Sequence, residues 1–115
     1  RVLGLDNVYN LELSQLYQIF YQILKRAKEL PEEEPIREVK VEKDTYSLED
    51  MILSLSSRIR RGESLYFREL LVAIETKSGM VTIFMAVLEL LKQQVMEMRY
   101  EDDDIIFTAA LDGAV

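Results

Sequence analysis

The side chains that could do chemistry fall into three clusters: Asp102, Asp103 and Asp104; Glu32, Glu33 and Glu34; and Arg58, Arg60 and Arg61. A run of carboxylates invites a hard cation. A calcium loop of the EF-hand kind, however, spaces its ligands along the loop around a central glycine and ends on a distal glutamate. The three aspartates are consecutive and have neither, so they read as a solvated turn. The glutamates lie between Pro31 and Pro35 and read as a linker. The arginines read as the solvated end of a helix. The chain has no histidine and no cysteine, which removes the commonest general base, the commonest transition-metal ligand, thiolates and disulfides. No nucleophile stands beside a base, and Gly79 and Gly113 are isolated, so no phosphate loop is present. No catalytic residue, metal ligand or cofactor is expected, and the chain does not read as an enzyme.

The remaining chemistry is apolar and aromatic. A helix predicted from Ser78 to about Gln94 carries Met80, Val81, Ile83, Phe84, Met85, Ala86, Val87, Leu88, Leu90 and Leu91. A helix on a small domain needs an apolar stripe only about 100° wide. Met80, Val81, Phe84, Leu88 and Leu91 would fill it, leaving Ile83, Val87 and Leu90 to face elsewhere. Contiguous apolar surface of that kind marks a protein interface. The alternative is that the first helix, or a strand containing Val39, folds back over this face. A second surface is predicted upstream, where Leu13, Leu16, Tyr17, Phe20, Tyr21 and Leu24 share a helix too apolar to bury both faces on one small domain. Tyrosine there couples apolar area to a polar tip, as interfaces favour.

These residues need elements to hold them. Arg1 to Tyr9 reads as an irregular lead-in, and a helix capped by Asn10 runs from about Leu11 to Leu30. Pro31 ends it. A short strand over 38–42 follows, with Val39 and Val41 on one face. Ser47 opens a second helix with Asp50 three residues on, near a capping box, and Gly62 stops it. A short extended stretch over 64–67, a short helix over 68–74 and the long helix capped by Ser78 come next. Met96 and Met98 then alternate with polar residues, and Ile105 to Ala109 returns as the second strand of a hairpin. Met98 and Ile105 read as core, while Tyr100 and Phe107 could face a partner. Two helices joined by a tight turn and followed by a two-stranded wing describe a winged helix-turn-helix. The fold class is thus mainly α (α+β): a winged helix over 36–115, preceded over 1–35 by one long amphipathic helix and its acidic linker.

Composition agrees with a globular chain. It has 115 residues, 49% hydrophobic and 30% charged, with two prolines and four glycines. Lys and Arg number 14 against 21 Asp and Glu, a net charge of −7. A groove-reading domain presents clustered basic residues, so unaided DNA binding is not expected. No apolar run approaches the roughly 20 residues that span a bilayer, and no signal peptide is visible. The absence of cysteine fits a cytoplasmic protein, and the start at Arg1 rather than methionine suggests a fragment.

The run from Met80 through Thr82, Phe84, Ala86, Leu88, Glu89 and Leu90 to Lys92 resembles the long helix of the bacterial kleisin family ScpA. Phe67-Arg68-Glu69-Leu70-Leu71 is similar to that family's Phe-x-Glu-Leu-Leu, and the start at Ser47-Leu48-Glu49-Asp50 to its Ser-Ile-x-Glu. Asp104-Ile105-Ile106-Phe107 resembles its wing strand, and Leu13 to Leu24 the segment leading into its final domain. The chain departs at Lys77-Ser78-Gly79, at Gln93-Gln94, and at Arg99 to Asp103, which lacks the family's Phe-Gly. The resemblance implies a non-enzymatic, nucleoid-associated subunit of a chromosome condensation and segregation complex. Its winged helix would dock on the head of an SMC ATPase, through Ile83, Val87, Leu90, Tyr100 and Phe107. ScpB, or a second copy of the fragment, would meet Leu13, Leu16, Tyr17, Phe20, Tyr21 and Leu24. DNA would be held only indirectly, through the complex, and no membrane would be involved. The resemblance implies that only the C-terminal part of such a protein is represented here, without the family's N-terminal neck-binding domain. The competing readings are a winged-helix transcription regulator that dimerises through its first helix, and a structural subunit of another complex.

Overall fold

The computed structural model describes residues 3–27, 47–74 and 76–110. Its elements in chain order are α1 (Leu3–Arg26), α2 (Leu48–Arg60), β1 (Leu65–Tyr66), α3 (Phe67–Val72), α4 (Lys77–Lys92), β2 (Met96–Glu101) and β3 (Asp104–Ala109). The fold is mainly α, with one small antiparallel sheet in the order β1-β3-β2. The glutamate run between the two prolines, and the strand expected over 38–42, lie outside the described residues.

Local chemistry sets most boundaries. The Ser47 hydroxyl accepts from the Asp50 amide at 3.2 Å and starts α2. Gly62, at φ 94°, ends it. The Gly62 amide donates to Ile59 and the Glu63 amide to Arg58, the paired bonds of a glycine-stopped helix. The end of α4 repeats this geometry without glycine: Gln94 takes φ 61°, with Gln94 donating to Leu91 and Val95 to Leu90. Two starts differ from expectation. α4 is capped by Thr76, whose hydroxyl accepts from Gly79 at 3.0 Å, so Ser78 lies inside the helix. α1 begins at Leu3 rather than near Leu11. An asparagine inside a helix costs well under about 1 kcal/mol relative to alanine, so Asn10 does not stop propagation through it.

The hairpin pairs Met98 with Phe107 and Tyr100 with Ile105, and closes on Asp102 and Asp103 at φ 56° and 63°. Positive φ at both central residues gives the twist a two-residue hairpin requires. Met96, Met98, Ile105 and Phe107 all face inward and are buried. α3 has no capping side chain of its own. Asp104 supplies it across space, its carboxylate accepting from the Arg68 amide at 3.2 Å and from Ile105 at 2.7 Å.

One core joins the pieces. Leu16, Ile19 and Phe20 of α1 share it with Leu55 and Ile59 of α2, Leu71 of α3, six residues of α4 and the inward side of the hairpin. α1 therefore folds back over the body, against α3, α4 and both long strands.

Candidate functional site

The phase of α4 decides which residues a partner could touch. Ile83, Val87 and Leu90, expected to face outward, are 3%, 0% and 1% exposed. They are core. Val81 and Leu88, expected in the core, are exposed at 38% and 37%, with Met85 at 48%. The cause is the width of the covered arc: α2 packs along one flank of α4 while α1 and the sheet close the other, so the buried face runs from Met80 through Ile83, Ala86, Val87 and Leu90 to Leu91. The sequence held a signal for this. The nearest neighbours of Met85 on the helix surface are Val81 and Thr82 on one side and Leu88 and Glu89 on the other, with Ser78 and Lys92 one turn further out. Thr82, Glu89, Ser78 and Lys92 are polar and mark this side of the helix as the one that faces water. Val81 and Leu88 flank it.

Phe84 is the seam between this outer stripe and α1. Its ring stacks on Phe20 with centroids 4.1 Å apart and planes 8° from parallel, and lies 6.4 Å from the rings of both Tyr17 and Phe67. Phe67 meets Phe107 edge-on at 5.8 Å. The six α1 residues singled out from sequence divide accordingly. Leu16 and Phe20 are buried beneath the seam, which corrects their expected partner contact. Leu13 and Leu24 are half-buried against the core, and only Tyr17 and Tyr21 stand in solvent, stacked at 6.3 Å. Lys25 sits 5.5 Å over the Tyr21 ring. Tyr17 and Tyr21 on α1, and Val81, Met85 and Leu88 on α4, are thus the exposed side chains on either side of Phe84, which Tyr17 approaches directly.

In the hairpin, Phe107 is fully buried and unavailable to a partner, because it faces the core with its ring edge-on to Phe67. Tyr100, on the same side of the sheet but nearer the tip, is 39% exposed. Its hydroxyl donates to Asp103 at 3.1 Å, and that hydrogen bond raises the phenol above its usual pKa. Asp103 and Asp104 of the turn are engaged in structure. Asp103 also receives Arg68, whose Nη2 reaches its carboxylate at 3.3 Å and whose Nε reaches its carbonyl at 2.8 Å. Among the described residues no cluster of three or more acidic side chains could hold a metal ion. Of the three arginines at the end of α2, Arg58 and Arg61 both bind Glu63, at 2.8 and 3.2 Å. The Arg58 hydrogen bond, ahead of Arg61, holds Glu63 below the usual carboxyl range.

No described helix is long and apolar enough to cross a membrane. Residues 5–107 match the family described as segregation and condensation protein ScpA. A segregation and condensation protein A from Macrococcus caseolyticus is 31% identical over 96 residues, 84% of this chain and 38% of that protein. One from Streptococcus agalactiae is 28% identical over 86 residues, 74% of this chain and 35% of that protein. The chain therefore spans little more than a third of the curated relatives it matches. No solved structure matches it. With the match running from α1 into the last strand, the chain belongs to the segregation and condensation protein ScpA family.

Proposed function

We propose that this chain is the C-terminal interaction module of a kleisin that works in chromosome segregation and condensation, and that it binds protein rather than DNA. The observation that carries the reading is the outer face of α4. In a winged helix that reads DNA, the helix in this position offers basic and amide side chains to the groove. Here it offers Val81, Met85 and Leu88, exposed and aliphatic. Contiguous apolar surface is what a protein partner covers.

In this reading the domain is a winged helix that docks on an SMC head through Val81, Met85 and Leu88, with Tyr100 at the edge. β2 lies at the rim of the sheet, where a partner strand could add. Tyr17 and Tyr21 are the α1 residues left for ScpB. The protein would act at the nucleoid without holding DNA itself and without catalysis of its own. The test is retention of this chain on an SMC head domain and, separately, on ScpB, with duplex DNA as control. Retention on the head that Met85→Lys and Leu88→Lys abolish, with none on DNA, is the expected result. Firm, salt-sensitive retention on DNA with none on either protein would replace this reading with a DNA-binding regulator.

A further inference from the structure

A groove on another side of the molecule has a different chemistry. It lies where the C-terminal end of α1 meets α3 and the start of α4, and is lined by Ile23, Arg26, Ala27, Arg68, Val72 and Met80. Four of these residues are apolar, two are arginines and none is acidic. That is unusual for a chain with 21 acidic residues against 14 basic ones. Val72 stands at the rim, 70% exposed, the most exposed large hydrophobic side chain among the described residues.

The two arginines differ in how they are held. Arg26 is exposed in the last turn of α1. Arg68 is oriented by the hairpin, with Nε donating to the Asp103 carbonyl and Nη2 to its carboxylate. A guanidinium carries five N–H donors, so these bonds fix its plane and leave donors over. Asp103 is 81% exposed, so the ion pair itself contributes little, and the shorter Nε bond to the Asp103 carbonyl is the one that holds the plane. A guanidinium already fixed in place loses less entropy when it takes a carboxylate.

We propose that this groove docks a short acidic segment of another protein, with an aliphatic side chain seated among Ile23, Val72 and Met80 and its flanking carboxylates on Arg26 and Arg68. The apolar floor supplies buried area and the arginines supply register, the usual division of labour in peptide recognition. A nucleic acid strand fits less well. Among the described residues no aromatic ring lines the groove to stack a base. The proposal rests on the groove and not on the family.

The test uses fluorescence polarisation with the whole chain and a labelled peptide of two leucines flanked by glutamates. Comparators carry glutamine for glutamate or serine for leucine, and a labelled oligothymidylate stands for nucleic acid. The glutamate–leucine peptide should bind about tenfold tighter than either peptide comparator, and more weakly as salt rises. Arg26→Glu and Val72→Asp each alter an exposed side chain, so circular dichroism melts should match the parent while binding falls about fivefold or more. Equal binding of the glutamine peptide would overturn the proposal, as would tighter binding of the oligothymidylate. Unchanged affinity in both variants would place the peptide elsewhere and overturn it as well.

Discussion

α1 and α4 lie side by side across the Phe20–Phe84 stack, yet they treat water differently. α1 turns Tyr17 and Tyr21 outward, each with a hydroxyl that stays hydrated while the ring adds apolar area. α4 turns out Val81, Met85 and Leu88, which have no polar atom to offer and whose coverage gains about 25 cal/mol for each Å² removed from water. The tyrosine face is compatible with solvent as it stands. The aliphatic face is where binding has the larger driving force. Burial alone does not distinguish them; the chemistry of what remains exposed does.

The sharpest way to break this comparison is to put a charge on each side of α4. Leu90→Lys, at a site 1% exposed, should cost more than about 4 kcal/mol and leave the chain unfolded or nearly so. Met85→Lys should change stability by no more than about 0.5 kcal/mol. Urea melts compare the two, and a folded Leu90→Lys would mean the helix sits in another phase. Next in size is the seam. Phe84→Ala removes a ring that touches three others and should cost about 3 kcal/mol. Amide exchange in α1 should then rise first, and uniform loosening would show that the seam is not what holds α1.

The two helix stops sharpen the comparison from outside both faces, since they alter backbone and no surface. Gly62→Ala should destabilise by about 1 kcal/mol, and Gln94→Gly should stabilise by a similar amount. A side chain added at Gly62 meets nothing within 4 Å, so the cost there is conformational. Equal melting temperatures for all three proteins would contradict the left-handed stops. The smallest effect concerns Glu63, lowered from the ordinary value of 4.5 by its arginines. A depressed carboxyl stabilises the fold above its unfolded pKa and loses that contribution as pH falls through the folded one. The stability difference between the parent and Glu63→Gln should therefore be present at neutral pH and close below about pH 4.5. A gap that does not change with pH would mean that the ion pairs contribute nothing.

What was legible in the sequence was local and punctuated. Ser47, Gly62, the alternation of Met96 and Met98, and the acidic turn each place their element because each depends on near neighbours. The long helix was legible as a helix but not in phase. It is apolar nearly all round, so its orientation comes from α2 on one flank and α1 on the other, which are contacts of long sequence separation. Tyr17 and Tyr21 stand in solvent, as tyrosines at helical spacing suggest. Ile83, Val87 and Leu90 are core although the sequence alone suggests an outward face, because aliphatic residues say only that they are buried somewhere, and the exposure of Met85 is signalled by Thr82 and Glu89 beside it.

The hairpin tip has a mechanical consequence. Asp102 and Asp103 both hold positive φ, where asparagine and glycine would sit with less strain. What Asp103 provides instead is attachment: with Asp104 it makes three hydrogen bonds to Arg68 at the start of α3, and it also receives Tyr100. The hairpin is therefore a handle and not a flap. A pull on its tip passes into α3 instead of being absorbed by the turn, and α3 carries Arg68 and Val72 with it.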